Sequence, residues 1–486
     1  MTNKFPVTCH TKHVGFGSTF VAIKGMQEDG VRYIPQAIAA GAITVVIDQT
    51  ATLDDALAAL AQEKNIQVMR VTDTRRALAE LSAQAHGYPA QQLTIIGITG
   101  TKGKSTTTFL LEHILKSAGY KTAMLSTVHN KILDVVYETE LTTQHPDYIH
   151  AFLRECVEQG VTHVVMEVAA QAFTLHRVAT IEFSVGMFLN FSQEHGEFYA
   201  TQDDYFAAKA ELFSACAAQA KIIIPENDER IAAAADVAGV APQRLLKFST
   251  HAVKNPTPLA GIQFVHDHYQ YVCPALVGDF NIYNARAAIT CAQQFGVGPE
   301  TIQQALHTFM PVPGRLNKYE LGNGAIAFID YAHNPASFEH ALRLMRTCTD
   351  HLVVLFGAGG DRDRVKRPLM GAVAAAYADF VVVTTDNPRS EDPLAICKEI
   401  VEGVPVCQQK KVALELDREQ AIRLAYQYSR AGTIIMLLGK GPDEYQLIKG
   451  VKSHFSERVI LQSLGSALEG MASESDFFTK KLDTVD

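Results

Sequence analysis

The stretch Thr94-Ile-Ile-Gly-Ile-Thr-Gly-Thr-Lys-Gly-Lys-Ser-Thr106 decides the reading of this chain. Its apolar start, Thr94 to Ile98, predicts a strand, and the glycine-rich turn that follows opens a helix at Lys104. A turn of this kind holds a nucleotide phosphate. Small residues let backbone N–H groups converge on the anion, and the helix N-terminus adds positive potential. Lys104 can reach the β- and γ-phosphates, and the Ser105 hydroxyl can hold Mg²⁺. The spacing is a variant: strict periodicity asks for glycine at 98, which is Ile, and Gly97 comes one residue early.

Working outward, the alternation of short apolar runs and helical patterns predicts an α/β protein. Upstream, Phe20 to Ile23 and Ile43 to Ile47 read as strands flanking a helix over about Arg32 to Ala40, which Gly41 stops. This small module ends near the turn His86-Gly-Tyr-Pro89. Downstream, strands are expected at Val161 to Met166, Val185 to Leu189 and Ile222 to Ile224, each stopping in polar residues: Glu167, Asn190 and Asn227-Asp228. In open parallel sheets ligands bind beyond the carboxyl ends of the strands, so these residues are candidates for one site.

A second break, Pro311-Val-Pro-Gly-Arg315, precedes a new series of strands at Ala325 to Ile329, Leu352 to Phe356, Phe380 to Thr384 and Thr433 to Leu438. That series predicts a second doubly wound sheet. The expected division is therefore residues 1–88, a small α/β domain; 89–310, a central ATPase-type parallel sheet behind the phosphate loop; and 311–486, a C-terminal Rossmann-like domain, ending in a polar tail over Ser473 to Asp486.

Composition narrows the function classes. The chain has 486 residues, enough for about three domains of ~150 residues each. Its 43 Lys and Arg against 52 Asp and Glu leave a net charge of −9, which disfavours nucleic acid and asks that anionic substrates meet local basic pockets. Eight scattered Cys without a CxxC pair signal neither a zinc site nor a disulfide scaffold and read as reduced, mostly buried side chains. No apolar stretch approaches the ~20 residues that cross a bilayer, and Met-Thr-Asn-Lys-Phe-Pro is not a signal peptide. A cytoplasmic monomer is expected.

The acid Glu167, the pair Glu194-His195 and the loop suit an oxygen-rich Mg²⁺-nucleotide site. Lys209, in Tyr205-Phe-Ala-Ala-Lys-Ala-Glu-Leu212, reads by pattern as a solvated helix-face residue. Together with the loop, His163-Val-Val-Met-Glu167, Asn190-Phe-Ser-Gln-Glu-His195, Ala207-Ala-Lys209, Gly278-Asp-Phe-Asn-Ile-Tyr-Asn284, Pro313-Gly-Arg315 and Asp330-Tyr-Ala-His-Asn-Pro335 resemble the motifs of the Mur ligases. Gly359-Gly-Asp-Arg-Asp363, Lys366-Arg-Pro-Leu-Met370, Asp386-Asn-Pro-Arg389 and Gly439-Lys-Gly441 narrow the resemblance to members that add meso-diaminopimelate to UDP-N-acetylmuramoyl-L-Ala-D-Glu. The similarity runs in order from about residue 10 to residue 465.

The resemblance implies an ATP- and Mg²⁺-dependent amide ligase working through an acyl phosphate. It assigns the phosphates to Gly100, Thr101, Lys102, Gly103, Lys104, Ser105 and Thr106, and the metals to Ser105, Glu167, His195 and a CO₂-derived carbamate on Lys209. Asn281 and Asn284 match adenine-side groups, and Arg315, Asp330 and His333 match groups near the nucleotide at an interdomain cleft. Thr11, Thr142, Thr143 and Arg177 fall on the acceptor side. Arg362, Asp386, Asn387, Pro388, Arg389, Gly439 and Asp443 fall on the amino-acid side, where an Arg fork suits a distal carboxylate unless Arg389 pairs with Glu391 or Asp392 instead.

Departures concentrate on the acceptor side. The family's Asp-Ser-Arg is His10-Thr11-Lys12 here, its serine pair is Ala169-Ala170, its next His is Gln171 and its later Gln is Leu175. Lys102 replaces an Asn of the loop, and Pro442 and Asp443 stand where His and Glu follow Gly-Lys-Gly. Three readings stay open: a divergent cell-wall ligase, a paralogue joining an amino acid to another carboxylate, and a nucleotide-binding module without catalysis.

Overall fold

In the computed structural model, residues 4–25, 28–192, 198–251 and 258–465 are described. The chain divides into two compact units, Met1–Phe309 and Met310–Asp486.

Among the described residues the first unit holds two large sheets and a separate two-stranded hairpin. The smaller has β1 (Val7–Thr8), β2 (Thr19–Val21), β3 (Thr44–Asp48) and β4 (Gln67–Val71) in sequential order, all parallel. Its helices include Asp55–Glu63 and Thr74–Ala85, opened by Asp54 and Asp73, whose carboxylates accept from first-turn N–H groups. The helix expected over Arg32 to Ala40 begins instead as a 3₁₀ turn, Gly30–Tyr33, and is α-helical only over Ile34–Ala39, because Pro35 fits the first turn of a helix but not its interior.

The larger sheet has β5 (Thr94–Thr99), β6 (Thr122–Leu125), β7 (Asn130–Ile132), β8 (Val135–Tyr137), β9 (His163–Glu167), β10 (Phe183–Phe188), β11 (Cys216–Pro225) and β12 (Leu245–Phe248) in the order β12-β11-β10-β5-β9-β6-β7-β8. From β12 to β6 it is parallel; β7 and β8 close one edge as an antiparallel hairpin. Strand β9 is buried at every position and β5 at all but its first, as helices on both faces of a parallel sheet require, and this is why they read as unbroken apolar runs. Sequence reading missed β6, β7, β8 and β12, and it placed only the last part of β11. A separate hairpin follows, β13 (Ile262–His266) and β14 (Tyr269–Cys273).

Strand β5 lies between β9 and β10, so the chain leaves β9 on one side of β5 and returns as β10 on the other. That reversal is a topological switch point, the place where a doubly wound sheet opens a crevice at the carboxyl ends of its strands. Gly100, Glu167 and Asn190 sit at those ends.

The second unit has β15 (Asn317–Glu320), β16 (Ile326–Asp330), β17 (Leu352–Phe356), β18 (Phe380–Val383), β19 (Val412–Leu414) and β20 (Ile434–Leu438) in the order β15-β16-β20-β17-β18-β19. All pairs are parallel except the edge strand β15. The short hairpin β21 (Tyr445–Ile448) and β22 (Val451–His454) follows. The expected doubly wound sheet is present, with an added antiparallel edge. No helix among the described residues is long and apolar enough to cross a membrane. All eight cysteines are free thiols; four are buried and Cys407 alone is exposed.

Candidate active site

In the first unit the phosphate loop joins β5 to the helix Lys104–Ser117, as the sequence predicts. Gly103 is the helix cap at φ 86°, and no side chain caps the first turn, so the positive end of the helix dipole faces the loop. A Cβ on Gly103 would lie 2.2 Å from Asn284 Oδ1, so only glycine lets the loop pass this close to the helix Phe280–Gln293. Asn284 is fixed there by donating to Asn281 Oδ1 at 2.8 Å, and Asn281 donates to the Val277 carbonyl at 2.8 Å.

The loop is clamped by Asn190, a strand-end candidate to which the resemblance assigns no role. Asn190 accepts from Lys102 N–H at 2.9 Å and donates to the Lys102 carbonyl at 2.9 Å, while its own carbonyl accepts from Thr101 N–H at 3.0 Å. The signal was its place at the end of β10. Thr101 Oγ1 also joins Ser192, donating to its carbonyl at 3.1 Å and accepting from its N–H at 3.0 Å.

Lys104 Nζ donates to the carbonyls of Gly100 at 2.9 Å and Thr101 at 3.1 Å. Lys209 Nζ donates to the same Gly100 carbonyl at 2.8 Å and lies 4.6 Å from the Tyr205 ring. Its helical pattern reads as solvated, but Lys209 is only 1% exposed, because the helix Gln202–Ser214 turns this face onto the loop. The two lysines therefore share one acceptor at the carboxyl end of β5.

Glu167, the last residue of β9, is 1% exposed. Among the described residues its carboxylate accepts from Thr127 alone, Oε1 from the backbone N–H at 2.8 Å and Oε2 from the hydroxyl at 3.0 Å. A buried carboxylate held by neutral donors suits a cation, since burying an unpaired charge is costly. Ser105, 5% exposed at the helix start, is the other described oxygen donor assigned to metal. No group of three or more His, Cys, Asp or Glu among the described residues could hold an ion by itself. That donor set fits Mg²⁺, which commonly takes one or two carboxylates and completes its shell with substrate phosphate and water. His195 lies outside the described residues.

On the acceptor side, Thr143 Oγ1 donates to the Glu167 carbonyl at 2.9 Å and accepts from Ala169 N–H at 3.0 Å. Thr142 Oγ1 lies 3.1 Å from Thr127 Oγ1. Arg177 donates through Nη1 to the Thr143 carbonyl at 2.7 Å, and its buried Nε has no hydrogen-bond partner among the described residues. Burial, then the Arg75 guanidinium, lower the Arg177 pKa. The same corner joins the two sheets of the unit: Thr8 donates to Asp147 Oδ2 at 2.7 Å, and Asp73 pairs with His176 at 3.3 Å. Burial, with Arg177 next, pushes the neighbouring His145 down. Thr11 lies apart from Thr142 and Thr143 in sequence, in the short turn Thr11–His13 capped by His10.

In the second unit, Asp386-Asn-Pro-Arg389 follows β18. A Cβ on Gly360 would lie 1.9 Å from the Pro388 carbonyl, so the Gly359-Gly360 turn is shaped to this box. Arg389, at φ 52°, donates to the Gly360 carbonyl at 2.7 Å. Both alternative partners are occupied. Glu391 is held by the fully buried Arg367 at 2.8 Å, which keeps its carboxyl down at about 2, and Asp392 caps the helix Pro393–Glu402.

Lys440, the middle residue of Gly439-Lys-Gly441, is 0% exposed. Its Nζ reaches Asp386 Oδ1 at 3.5 Å, Asn387 Oδ1 at 3.3 Å and the Tyr445 carbonyl at 2.5 Å, tying the box to the turn after β20. Asn387 donates to Asp443 Oδ2 at 3.3 Å. Burial raises the Asp443 carboxyl, with Lys440 opposing. Arg362, on the Gly359-Gly-Asp-Arg-Asp363 turn, is exposed. At the end of β16, Asp330 accepts from Leu316 N–H at 3.0 Å and Ala332 N–H at 2.8 Å, and burial raises its carboxyl. Arg315 lies 5.0 Å from the Tyr331 ring, and His333 is exposed with Nδ1 at 2.8 Å from the Tyr331 carbonyl.

A phosphate loop at a switch point, a buried carboxylate beside it and an Asp-Asn-Pro-Arg box on a second α/β unit define a nucleotide-dependent ligase architecture. Family models agree: residues 7–86 match the Mur ligase family catalytic domain, 98–292 the Mur ligase middle domain and 314–441 the Mur ligase glutamate ligase domain. The chain is 38% identical over 463 residues to a protein of Syntrophomonas wolfei named UDP-N-acetylmuramoyl-L-alanyl-D-glutamate--2,6-diaminopimelate ligase, covering 93% of both chains. It is 36% identical to a protein of the same name from Aquifex aeolicus, covering 94% of this chain and 93% of that one. A solved structure of a ligase of that name superposes with a TM-score of 0.62 at 26% identity over 96% of both chains. The chain belongs to the Mur ligase family.

Proposed function

We propose that this chain is an ATP-dependent ligase that joins meso-diaminopimelate to UDP-N-acetylmuramoyl-L-Ala-D-Glu, with domains at 1–88, 89–310 and 311–486. The phosphate loop and Lys104 hold the ATP phosphates, and Asn281 and Asn284 fix the helix beside them. Ser105, Glu167 and His195 hold Mg²⁺, and Lys209 joins them as a carbamate. Bound Mg²⁺ supplies positive charge against the charge that spreads over a transferring phosphoryl group. Thr142, Thr143 and Arg177 hold the acceptor so that its free carboxylate faces the γ-phosphate.

A carboxylate oxygen takes the γ-phosphoryl group, ADP leaves, and the acyl phosphate formed is an electrophile poised for an amine. The diaminopimelate amine, after losing a proton, attacks the acyl carbon. The nitrogen gives up a further proton, which the departing phosphate can take, and the C–O bond to phosphate breaks, leaving amide and inorganic phosphate. In the second unit Arg389 grips the distal carboxylate of diaminopimelate with a planar fork, and Asp443 meets the distal ammonium.

The observation that carries this reading is the burial of Lys209 on the Gly100 carbonyl. A module that only bound nucleotide has no use for a second buried lysine there, whereas a ligase uses a carbamate at that point to hold metal. A second reading, ligation to a different carboxylate, is favoured by Ala169-Ala170, which remove two hydroxyl donors from the acceptor wall.

The test supplies the purified chain with Mg-ATP, the UDP-muramoyl dipeptide and either meso-diaminopimelate, lysine or no amine. Stoichiometric ADP, phosphate and amide are expected with diaminopimelate alone. Turnover only with another carboxylate supports the second reading. Nucleotide binding with no turnover for any acceptor and amine contradicts both.

A further inference from the structure

Thr127 lies just beyond β6, outside every motif read from the sequence, and it touches both halves of the proposed reaction centre. Its hydroxyl is 3.0 Å from Glu167 Oε2 and 3.1 Å from Thr142 Oγ1. Its backbone N–H holds Glu167 Oε1 at 2.8 Å, so the carboxylate cannot easily swing away from the hydroxyl. Thr143, next to Thr142, is 2% exposed and bonded to the Glu167 carbonyl at 2.9 Å, which fixes the threonine pair against the same strand end.

A hydroxyl carries one proton, so Thr127 Oγ1 donates to Glu167 or to Thr142, not to both. With no metal ion on Glu167, the charge-assisted bond to its carboxylate is the stronger of the two and takes that proton. Thr142 then supplies its own proton to the Thr127 oxygen and has none for a ligand. A divalent cation on Glu167 weakens the pull of the carboxylate. Thr127 can then turn its proton to Thr142 Oγ1, which releases the Thr142 proton for an oxygen of the acceptor.

We propose that Thr127 is a positioning residue whose single hydroxyl proton couples the charge on Glu167 to acceptor binding at Thr142. The proposal rests on the reading above, in which Glu167 holds metal and Thr142 meets the acceptor. Divalent cation therefore tightens acceptor binding, and by reciprocity the acceptor tightens cation binding.

Calorimetry of the UDP-muramoyl dipeptide, with a non-hydrolysable ATP analogue at fixed concentration and either Mg²⁺ or EDTA, tests this without turnover. The wild-type Kd should fall by about 5-fold or more with Mg²⁺, within the usual range of site-to-site coupling. Thr127→Ser keeps the hydroxyl and should keep that dependence. Thr127→Val keeps the shape and should bind acceptor with much the same Kd in both conditions. If Thr127→Val does not fold, Thr142→Val supplies the same comparison, since it removes the other end of the relay. An undiminished Mg²⁺ dependence in the valine variant, or its loss in Thr127→Ser, overturns the proposal. A wild-type chain that binds nucleotide but no dipeptide overturns the acceptor reading beneath it, and the relay with it.

Discussion

The phosphate cradle and the proposed acceptor wall lie in the same unit, yet they are built from different materials. The cradle is mostly backbone: an uncapped helix terminus, a left-handed Gly103 and carbonyls that receive Lys104 and Lys209. The wall is made of side chains from several elements, Thr142 and Thr143 before one helix, Ala169 after β9 and Arg177 beyond it, braced by Thr8 and Asp73 from the smaller sheet. A backbone cradle admits few substitutions, because its glycines are fixed by conformation and close approach. A side-chain wall can exchange one donor for another and keep its fold. In this chain the loop keeps Gly103, Lys104 and Ser105 and departs from the resemblance at Lys102, whereas the wall departs at Ala169, Ala170 and Gln171.

The strongest way to break the contrast is Gly103→Ala. Its φ of 86° and the 2.2 Å approach to Asn284 leave no room for a Cβ, so the loop must shift. Displacements near 1 Å cost about 100-fold in rate, and nucleotide-dependent turnover should fall to background while the melting temperature changes little. Normal nucleotide affinity in this variant would show that the cradle is less rigid than its geometry implies.

Next in size is Arg389→Ala, which tests whether the second unit uses a side-chain fork as proposed. Loss of a charge partner on the order of 2 to 5 kcal/mol is expected in kcat/KM for diaminopimelate, with the KM for acceptor unchanged. An unaltered KM for diaminopimelate removes Arg389 from that role.

Asp443 gives a pH signature. Its carboxyl is raised by burial, so on acidification it takes up a proton at a higher pH than an ordinary aspartate and loses the negative charge proposed to meet the distal ammonium. The KM for diaminopimelate should therefore climb on acidification, beginning at a higher pH than an ordinary aspartate would give. Asp443→Asn should have a raised KM that is flat across that range, and an unchanged slope would assign the titration elsewhere.

The smallest effect is a gain. Ala169 precedes the helix Ala170–Thr174 with no side-chain cap and extended backbone. Ala169→Ser supplies both a cap and an added donor on the wall, each on the order of 1 kcal/mol. A modest rise in melting temperature and an acceptor KM lowered by a few-fold are expected; a rise in melting temperature alone would show that the wall does not use this position.

What the sequence displayed follows from the same division. Strands β5, β9, β10, β17, β18 and β20 were legible because burial on both faces leaves them as apolar runs. Strand β6, four residues of Thr-Ala-Met-Leu, and the short hairpin after it carry too little pattern to register. Lys209 was legible by resemblance alone: its periodicity points to solvent, and only the fold turns it inward. Asn190, Thr127 and Lys440 gain their roles from what the fold brings beside them. Asn190 clamps a loop 88 residues earlier in the chain, a contact no local spacing announces. Thr127, similarly, meets a carboxylate 40 residues away.

The central claim is that one carboxylate oxygen is phosphorylated and then expelled with phosphate. It is tested most directly with acceptor labelled with ¹⁸O in the reacting carboxylate, by mass spectrometry of the inorganic phosphate released with diaminopimelate present. The account predicts one ¹⁸O atom transferred to each phosphate formed with an amide bond. Phosphate free of label, with amide still made, would contradict it.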